Sequence, residues 1–506
     1  MFIRSLFIKI SIIGLFTVLL SNINYSQHRG DNLSFQGIYD RNDPGVKATA
    51  MGGAATTLSG NISALFYNPA GLSSINSIQF SVSANYYSNH WRENQRYRPN
   101  RYFVTLPFYL EGLYIPDPAD NGLFDHERIW TEDQQIDTTY IVNLPQLGND
   151  PFSEKAADWT KDKNNFALNN IAIAVPFNFD SHHFVASAAY NREFNVEDYD
   201  RNETYLDPHI GYDLYGDVPR VNGVDTLVVN WSQFLRYRSG SLNSVNAGIA
   251  YSISENLNVG VGLNVTWGET DDFQSLKLVG AFDLIRENRF RFSYLDTYYK
   301  VEGTSEYSST NFNLGAIFKL EKFSFGIKVD LPYTIERKWN YTEFYQDSIS
   351  SSTDPKNGID EFDIPAIFNL GVNFKPVDNF LMAVDYEYAP YSETEFKLSE
   401  EDPTLREWAD RHIIRFGLEY SPYDFLSLLG GYRNIPVPFI PDGAAVKDRG
   451  PDADSYTFGI SLNILHGRFD FAYEIRVLKY YDSYYSNTNY VTENYSNLLF
   501  GYTFKL

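Results

Sequence analysis

From residue 78 to its end, the chain repeats one device. A short run alternates apolar and polar residues, a connection follows, and another such run begins. In 78–86, Ile78, Phe80, Val82, Ala84 and Tyr86 alternate with Gln79, Ser81, Ser83 and Asn85. Successive side chains of a strand point to opposite faces, so this run reads as a strand with one apolar and one polar face. The cleanest instance is 257–267, where Leu257, Val259, Val261, Leu263, Val265 and Trp267 enclose Asn258, Gly260, Gly262, Asn264 and Thr266. The pattern predicts about fourteen strands, joined by six tight turns and seven longer connections in strict alternation. Outer-membrane barrels have an even strand number, short periplasmic turns and long external loops. A chain that enters and leaves on the periplasmic side needs one fewer short turn than long loops, and the count agrees. A soluble sandwich has no reason to segregate loop length by side.

The expected fold is all-β, a 14-stranded antiparallel transmembrane β-barrel. In lipid every backbone polar group needs a partner, so only a closed sheet spans without an unpaired edge. The apolar face then meets lipid and the face rich in Gly, Ser, Asn and charge lines the lumen. Aromatic residues make up 17% of the chain, which suits β structure and membrane interfaces. A Tyr-rich secreted all-β protein would share that composition. The net charge of −23 argues against nucleic acid, which needs a basic footprint. The absence of cysteine excludes disulfides, thiol chemistry and a lipoprotein anchor. Arg4 and Lys9 precede an apolar run at 10–20, so 1–26 reads as a secretory signal cleaved near Ser26. The expected division is a signal at 1–26, an enclosed segment at 27–75 and a barrel at 76–506, located in the outer membrane.

Between signal and first strand lies 48–72, which is small, apolar and glycine-bearing. Gly52, Gly53 and Gly71 permit backbone shapes and close approaches that other residues resist. Pro69 fixes its own φ and biases Asn68 away from helix. Met51, Gly52, Gly53 and Ala54, followed by 64–72 with Asn68, Pro69, Ala70 and Gly71, resemble the N-terminal plug of the FadL/TodX family of outer-membrane transporters. The resemblance implies a plug inside the lumen, with Gly52, Gly53, Asn68, Pro69, Ala70 and Gly71 as its gate. It also implies passive transport of a hydrophobic compound such as a long-chain fatty acid or aromatic hydrocarbon. The last strand, with Phe500, Tyr502 and Phe504, resembles the signal read by the barrel-assembly machinery, except that Leu506 stands where Phe is usual. The expected partners are a hydrophobic small molecule, outer-membrane lipid and lipopolysaccharide, and that machinery during biogenesis, with the chain a monomer that binds no nucleic acid.

No catalytic constellation, cofactor motif or metal-ligand spacing stands out, so the chain reads as no enzyme. His182 and His183 adjoin at a turn, and adjacent strand residues face opposite ways. The acidic stretch 347–363 lacks the ordered spacing of a calcium loop. Predicted lumen residues include Lys328, Asp330, Asp385, Glu387, Arg415, Glu419, Arg433, Asp470, Glu474 and Arg476. They read either as a mutually paired network or, at Arg415 and Arg433, as counter-ions for a ligand carboxylate. In the third connection, 269–308, Phe273, Leu276 and Phe282 fall near helical spacing. The fourth, 337–361, holds Trp339, Tyr341, Phe344 and Tyr345. In the resembled family these two loops form an external capture groove; packing between loops is the other reading. The first connection, 89–164, carries a hairpin candidate at 102–114. Two other functions remain open: a protein-binding component of a secretion system of the type IX kind, and a surface protein that transports nothing.

Overall fold

The computed structural model describes residues 32–38, 41–95, 124–125, 152–154, 157–180, 182–203, 220–221, 224–225, 227–286, 289–400, 402, 405–441, 450–464, 466–484 and 487–506. The expected signal and the hairpin candidate at 102–114 lie outside them.

The chain enters through a short helix α1 (Val46–Ala50), a one-turn helix α2 (Ala64–Tyr67) and a 3-10 turn, Pro69–Ser74. The wall follows as β1 (Gln79–Gln95), β2 (Trp159–Phe179), β3 (His182–Glu203), β4 (Leu227–Ser252), β5 (Leu257–Arg286), β6 (Arg289–Lys319) and β7 (Phe323–Asp330). A hairpin, β8 (Tyr333–Gln346) and β9 (Ser351–Ile364), interrupts it. The wall resumes as β10 (Ile367–Val377) and β11 (Phe380–Ala389), and the short β12 (Glu395–Lys397) pairs with β9. It ends with β13 (Arg411–Tyr423), β14 (Leu426–Pro436), β15 (Asp452–Ile464), β16 (Gly467–Tyr484) and β17 (Asn487–Lys505). Without β8, β9 and β12 these make fourteen antiparallel strands. The sheet closes where β1 pairs with β17, from Gln79↔Lys505 to Gln95↔Asn489. Closure removes the unpaired edge that lipid would not tolerate.

The period-two pattern decides which face meets lipid. On β15, Phe458 is 59% exposed while its neighbour Thr457 is 0% exposed. Val261, Val265, Phe312, Leu314, Leu370 and Phe416 are likewise exposed. At two of the tight turns, Asp180 (φ 47°) and His466 (φ 61°) take the left-handed conformation that short side chains or special geometry permit.

Two expectations require correction. Stretch 269–308 is no loop with a helical face. It is the upper part of β5 and β6, paired from Glu269↔Glu306 upward. Stretch 337–361 is the β8–β9 hairpin, paired from Tyr333↔Ile364 to Gln346↔Ser351. The lower part of β6 pairs with β7 and its upper part with β8, so the sheet continues above the β7–β10 contact. The polar composition of these stretches hid the strand signal: above the membrane no lipid demands an apolar outer face.

Candidate functional site: the plug and the lumen above it

The plug meets the wall backbone to backbone. Gly52 (φ 67°) and Gly53 (φ 77°) turn the chain after α1 in a conformation that favours glycine. The Gly52 amide donates to Thr457 Oγ1 at 2.9 Å, and that hydroxyl donates to Ala50 O at 3.1 Å. The wall makes room with glycines of its own. A Cβ built on Gly431 would lie 2.1 Å from the Gly52 nitrogen, one on Gly260 2.5 Å from the Ala70 nitrogen, and one on Gly326 2.5 Å from Thr56 O. Gly248, Gly315, Gly417, Gly459 and Gly501 also face plug atoms. Sequence reading saw glycine on the lumen face but not this belt.

Asn68 is the central tie. It is fully buried, caps the 3-10 turn by accepting from the Ala70 amide at 3.1 Å, and donates to Thr56 O at 2.8 Å. Its amide also reaches Ala316 O on β6 and Ile327 O on β7, at 3.3 and 3.2 Å. Pro69 occupies the first turn position, where its missing N–H costs nothing. A Cβ on Gly71 would lie 1.9 Å from Leu58 O, so no side chain fits there. Gly52 and Gly53 thus lie inside the barrel against β13–β15, and Asn68, Pro69 and Ala70 against β5–β7.

Charge fixes the same plug. Asp385 accepts from the Ala55 and Thr56 amides, each at 2.7 Å. Lys47 pairs with Glu419 at 2.8 Å. Arg433 bridges Asp43 of the plug and Glu474 of β16. Arg415 pairs with Glu387 at 2.6 Å, and Glu387 also accepts from Arg411 at 3.0 Å. Both arginines weighed as ligand counter-ions are therefore held by carboxylates of the chain.

Above the plug the lumen is divided. Phe194, Val196, Leu242, Tyr307, Ile335, Phe362 and Ile364 form an apolar chamber. Phe35 and Ile38 of the chain's own N-terminal segment fill it, with Phe35 stacked on Phe362 at 4.7 Å. The backbone of this segment is held by Arg238, whose Nη1 donates to Ser34 O at 2.9 Å. Arg238 also makes a two-pronged, fully buried pair with Asp272, at 2.6 and 2.8 Å. Ser305 and Tyr341 donate to the same carboxylate, each at 2.6 Å. The sequence places 27–75 as one enclosed segment; the signal within it for this seat is Leu33, Phe35 and Ile38 set among polar residues.

Beside the apolar chamber lies a cavity of about 630 Å³. It is lined by Trp91, Glu93, Tyr199, Arg236, Phe439 and Tyr480, among others. It adjoins a seam in the wall. β2 and β3 pair only from Asn170↔Asn191 down to Phe179↔His182. Higher up, β2 stays with β1 and β3 with β4, and β3 shifts register between Arg192 and Phe194. Lys163 and Glu197 bridge the seam at 2.7 Å.

The aromatics expected to form one external groove are dispersed. Phe273 stacks on Tyr237 at 4.7 Å, and Tyr237 is exposed. Leu276, three positions along the same strand, belongs to the opposite face. Phe282 lies in β5 opposite Phe292 of β6. Trp339 is buried against Tyr341 at 5.0 Å, whereas Phe344 faces Tyr298 at 6.1 Å. Among the described residues, no group of His, Cys, Asp or Glu is arranged to hold a metal ion.

A Pseudomonas aeruginosa FadL homologue superposes on this architecture with a TM-score of 0.59, over 93% of this chain and 99% of that one, at 13% identity. The P. putida toluene transporter TodX superposes with a TM-score of 0.52, over 91% of this chain and 98% of that one, also at 13% identity. The fold is that of the FadL and TodX barrels. At such identity the likeness speaks for the FadL-type fold and not for its cargo. A family model described as BamG matches residues 225–434, from the start of β4 to β14. No curated protein matches the sequence.

Proposed function

We propose that this chain is an outer-membrane channel for hydrophobic compounds, passive and closed at rest by its plug. The observation that carries the reading is the apolar chamber. Barrel lumens are generally polar, yet here Phe194, Leu242, Ile335 and Phe362 converge inside one. The chain seats its own phenyl ring there, so the chamber accepts an apolar ring or alkyl chain in size and chemistry. Burying each CH₂ of such a guest contributes roughly 0.8 kcal/mol. The FadL-type fold supports the same reading; the alternative of a secretion partner receives no support from these neighbours.

In this proposal residues 1–26 direct export, 27–75 form the plug and 76–506 the channel. Substrate meets the partly exposed aromatic pairs on the tall β4–β6 and β8 walls, enters the lumen, and leaves when the segments at Gly52–Gly53 and Asn68–Gly71 shift or the β2–β3 seam widens. Lipopolysaccharide surrounds the wall, the assembly machinery inserts it, and one chain suffices for one channel. The test is uptake of labelled hydrocarbons, alcohols, acids and amines of matched length by cells with and without the protein. Uptake above the control for any class supports the reading. Equal uptake for every class, with the barrel folded in the outer membrane, overturns it.

A further inference from the structure

The cavity beside the apolar chamber holds one buried acid that the chain leaves without a hydrogen-bond partner at one oxygen. Its cations are engaged by the chain itself. Arg236 pairs with Asp198 at 2.6 Å, Arg406 with Asp482 at 2.7 Å, Lys163 with Glu197 at 2.7 Å and Arg411 with Glu387 at 3.0 Å. Lys161 lies over the Tyr199 ring at 5.5 Å. Glu93 differs. It is 1% exposed, lines the cavity, and its Oε1 has no hydrogen-bond partner. The charged groups that act on it, Asp200, Asp482 and Asp158, all carry its own sign. Burial and these like charges keep its carboxyl from ionising by itself, and a cation placed beside it would draw out the ionised form.

The surroundings narrow the class of guest. The carboxylates do not converge as metal ligands among the described residues, so a bare divalent ion lacks its shell of oxygens. Aromatic rings share the cavity: Trp91 meets Tyr199 edge-on at 4.8 Å, and Phe439 meets Tyr480 at 5.6 Å. Rings beside an unpaired carboxylate match an organic ammonium, which gains both an ion pair and cation–π attraction. A fatty-acid carboxylate would meet Glu93, Asp200 and Asp482, and the cations named above are already engaged, Lys161 by the Tyr199 ring and the others by carboxylates.

We propose that this cavity binds the ammonium end of a hydrophobic amine, with Glu93 as its counter-ion and the aromatic rings around its alkyl or aryl body. The inference rests on the channel reading above and names its preferred substrate class. The test is calorimetry on the full-length protein in a non-ionic detergent, with dodecylamine, dodecanol and dodecanoate as probes. The amine is expected to bind about tenfold tighter than the other two, the factor that one additional charge-assisted contact of about 1.4 kcal/mol supplies. Glu93→Gln is expected to remove that advantage while the alcohol's affinity stays within about twofold of its wild-type value. Equal binding of all three by the wild-type chain, or preference for the acid, overturns the ammonium inference and leaves the channel reading standing. Binding of none overturns the ammonium inference, and with no uptake in cells it removes the channel reading too. The wild-type selectivity decides the matter even where Glu93→Gln fails to fold. Where the variant folds, an unchanged preference for the amine would assign it to a group other than Glu93.

Discussion

Gly431→Ala is the sharpest test of the plug, because it alters the wall and leaves the plug sequence untouched. Alanine is sterically acceptable in a strand, so β14 itself should fold. Its Cβ, however, would stand 2.1 Å from the Gly52 nitrogen, against an ordinary contact of at least 3.4 Å. The plug must therefore retreat by about 1.3 Å (3.4 − 2.1) at that point. Gly431 is paired with Thr457 in the wall, so retreat from one is retreat from the other. The Gly52–Thr457 hydrogen bond, 2.9 Å now, would lengthen past 3.5 Å, and the Thr457–Ala50 bond beside it would be strained. The Gly52 amide keeps Thr49 O at 2.9 Å, so the loss is that of the bonds through the Thr457 hydroxyl, and at about 1–3 kcal/mol for one buried hydrogen bond broken this weakens plug docking by about 1–3 kcal/mol. At about 1.4 kcal/mol per factor of ten, even the lower bound raises local opening about fivefold. Hydrogen exchange followed by mass spectrometry reads this directly on peptides covering 45–58. The control is Gly430→Ala, one residue away, where an added Cβ meets nothing nearer than Thr457 O at 4.0 Å. Exchange in Gly431→Ala that matches both wild type and the control, with the barrel folded, would refute the claim that wall glycines seat the plug.

Phe35→Ala should empty the niche on Phe362. Large-to-small changes of a buried aromatic cost about 3–5 kcal/mol, here taken from the seating of residues 33–38, so limited proteolysis should cut that segment faster while the barrel core resists. Lowering the pH should loosen the outer hairpin. Hydrogen bonds from Lys397 and Thr334 hold the Asp363 carboxyl below its ordinary value. Its contribution is therefore present above the ordinary carboxylate range and lost as pH falls through its lowered folded value; exchange in 333–364 should rise only in acid. The chain has no cysteine of its own, so Lys163→Cys with Glu197→Cys, joined by a short bismaleimide, should clamp the β2–β3 seam. Uptake that stops on clamping places the exit at the seam, and undiminished uptake places it at the plug.

Much of the wall was legible because lipid enforces a strict code. Where the outer face meets hydrocarbon, as from Leu257 to Trp267, alternation is clean and the strands and tight turns follow from it. Above the membrane that pressure ends, and the same strands continue through polar residues with no periodic apolar mark. Asp272, Gln274 and Arg238 turn inward to ion pairs and hydrogen bonds that only the fold brings together. Helical spacing at Phe273 and Leu276 was therefore a coincidence of composition. The plug was legible through its glycines and the Asn68–Gly71 turn. Its seats on the wall were not, since a glycine in a strand does not announce what approaches it. Phe35 was missed for a related reason: its partners Phe362 and Phe396 lie more than three hundred residues away.

The division of the lumen bears on how any guest must travel. A wholly apolar path would hold a hydrocarbon firmly but would give a closed plug little to respond to. Here the apolar chamber is occupied by Phe35 and Ile38, whose segment hangs from Arg238 by the Ser34 and Gln36 carbonyls, and that guanidinium is committed to Asp272. Arg236, two residues along the same strand and so on the same face, lines the charged cavity with Asp198 and Glu93. A guest that reorganises charge in the cavity thus acts beside Arg238, which lines the same cavity and seats the N-terminal segment. A neutral hydrocarbon has no such handle and can only compete for the niche itself. On this reasoning amphipathic guests should accelerate proteolysis of residues 33–38 at concentrations where hydrocarbons of equal length do not. Equal acceleration by both would show that the segment yields to competition for apolar space alone.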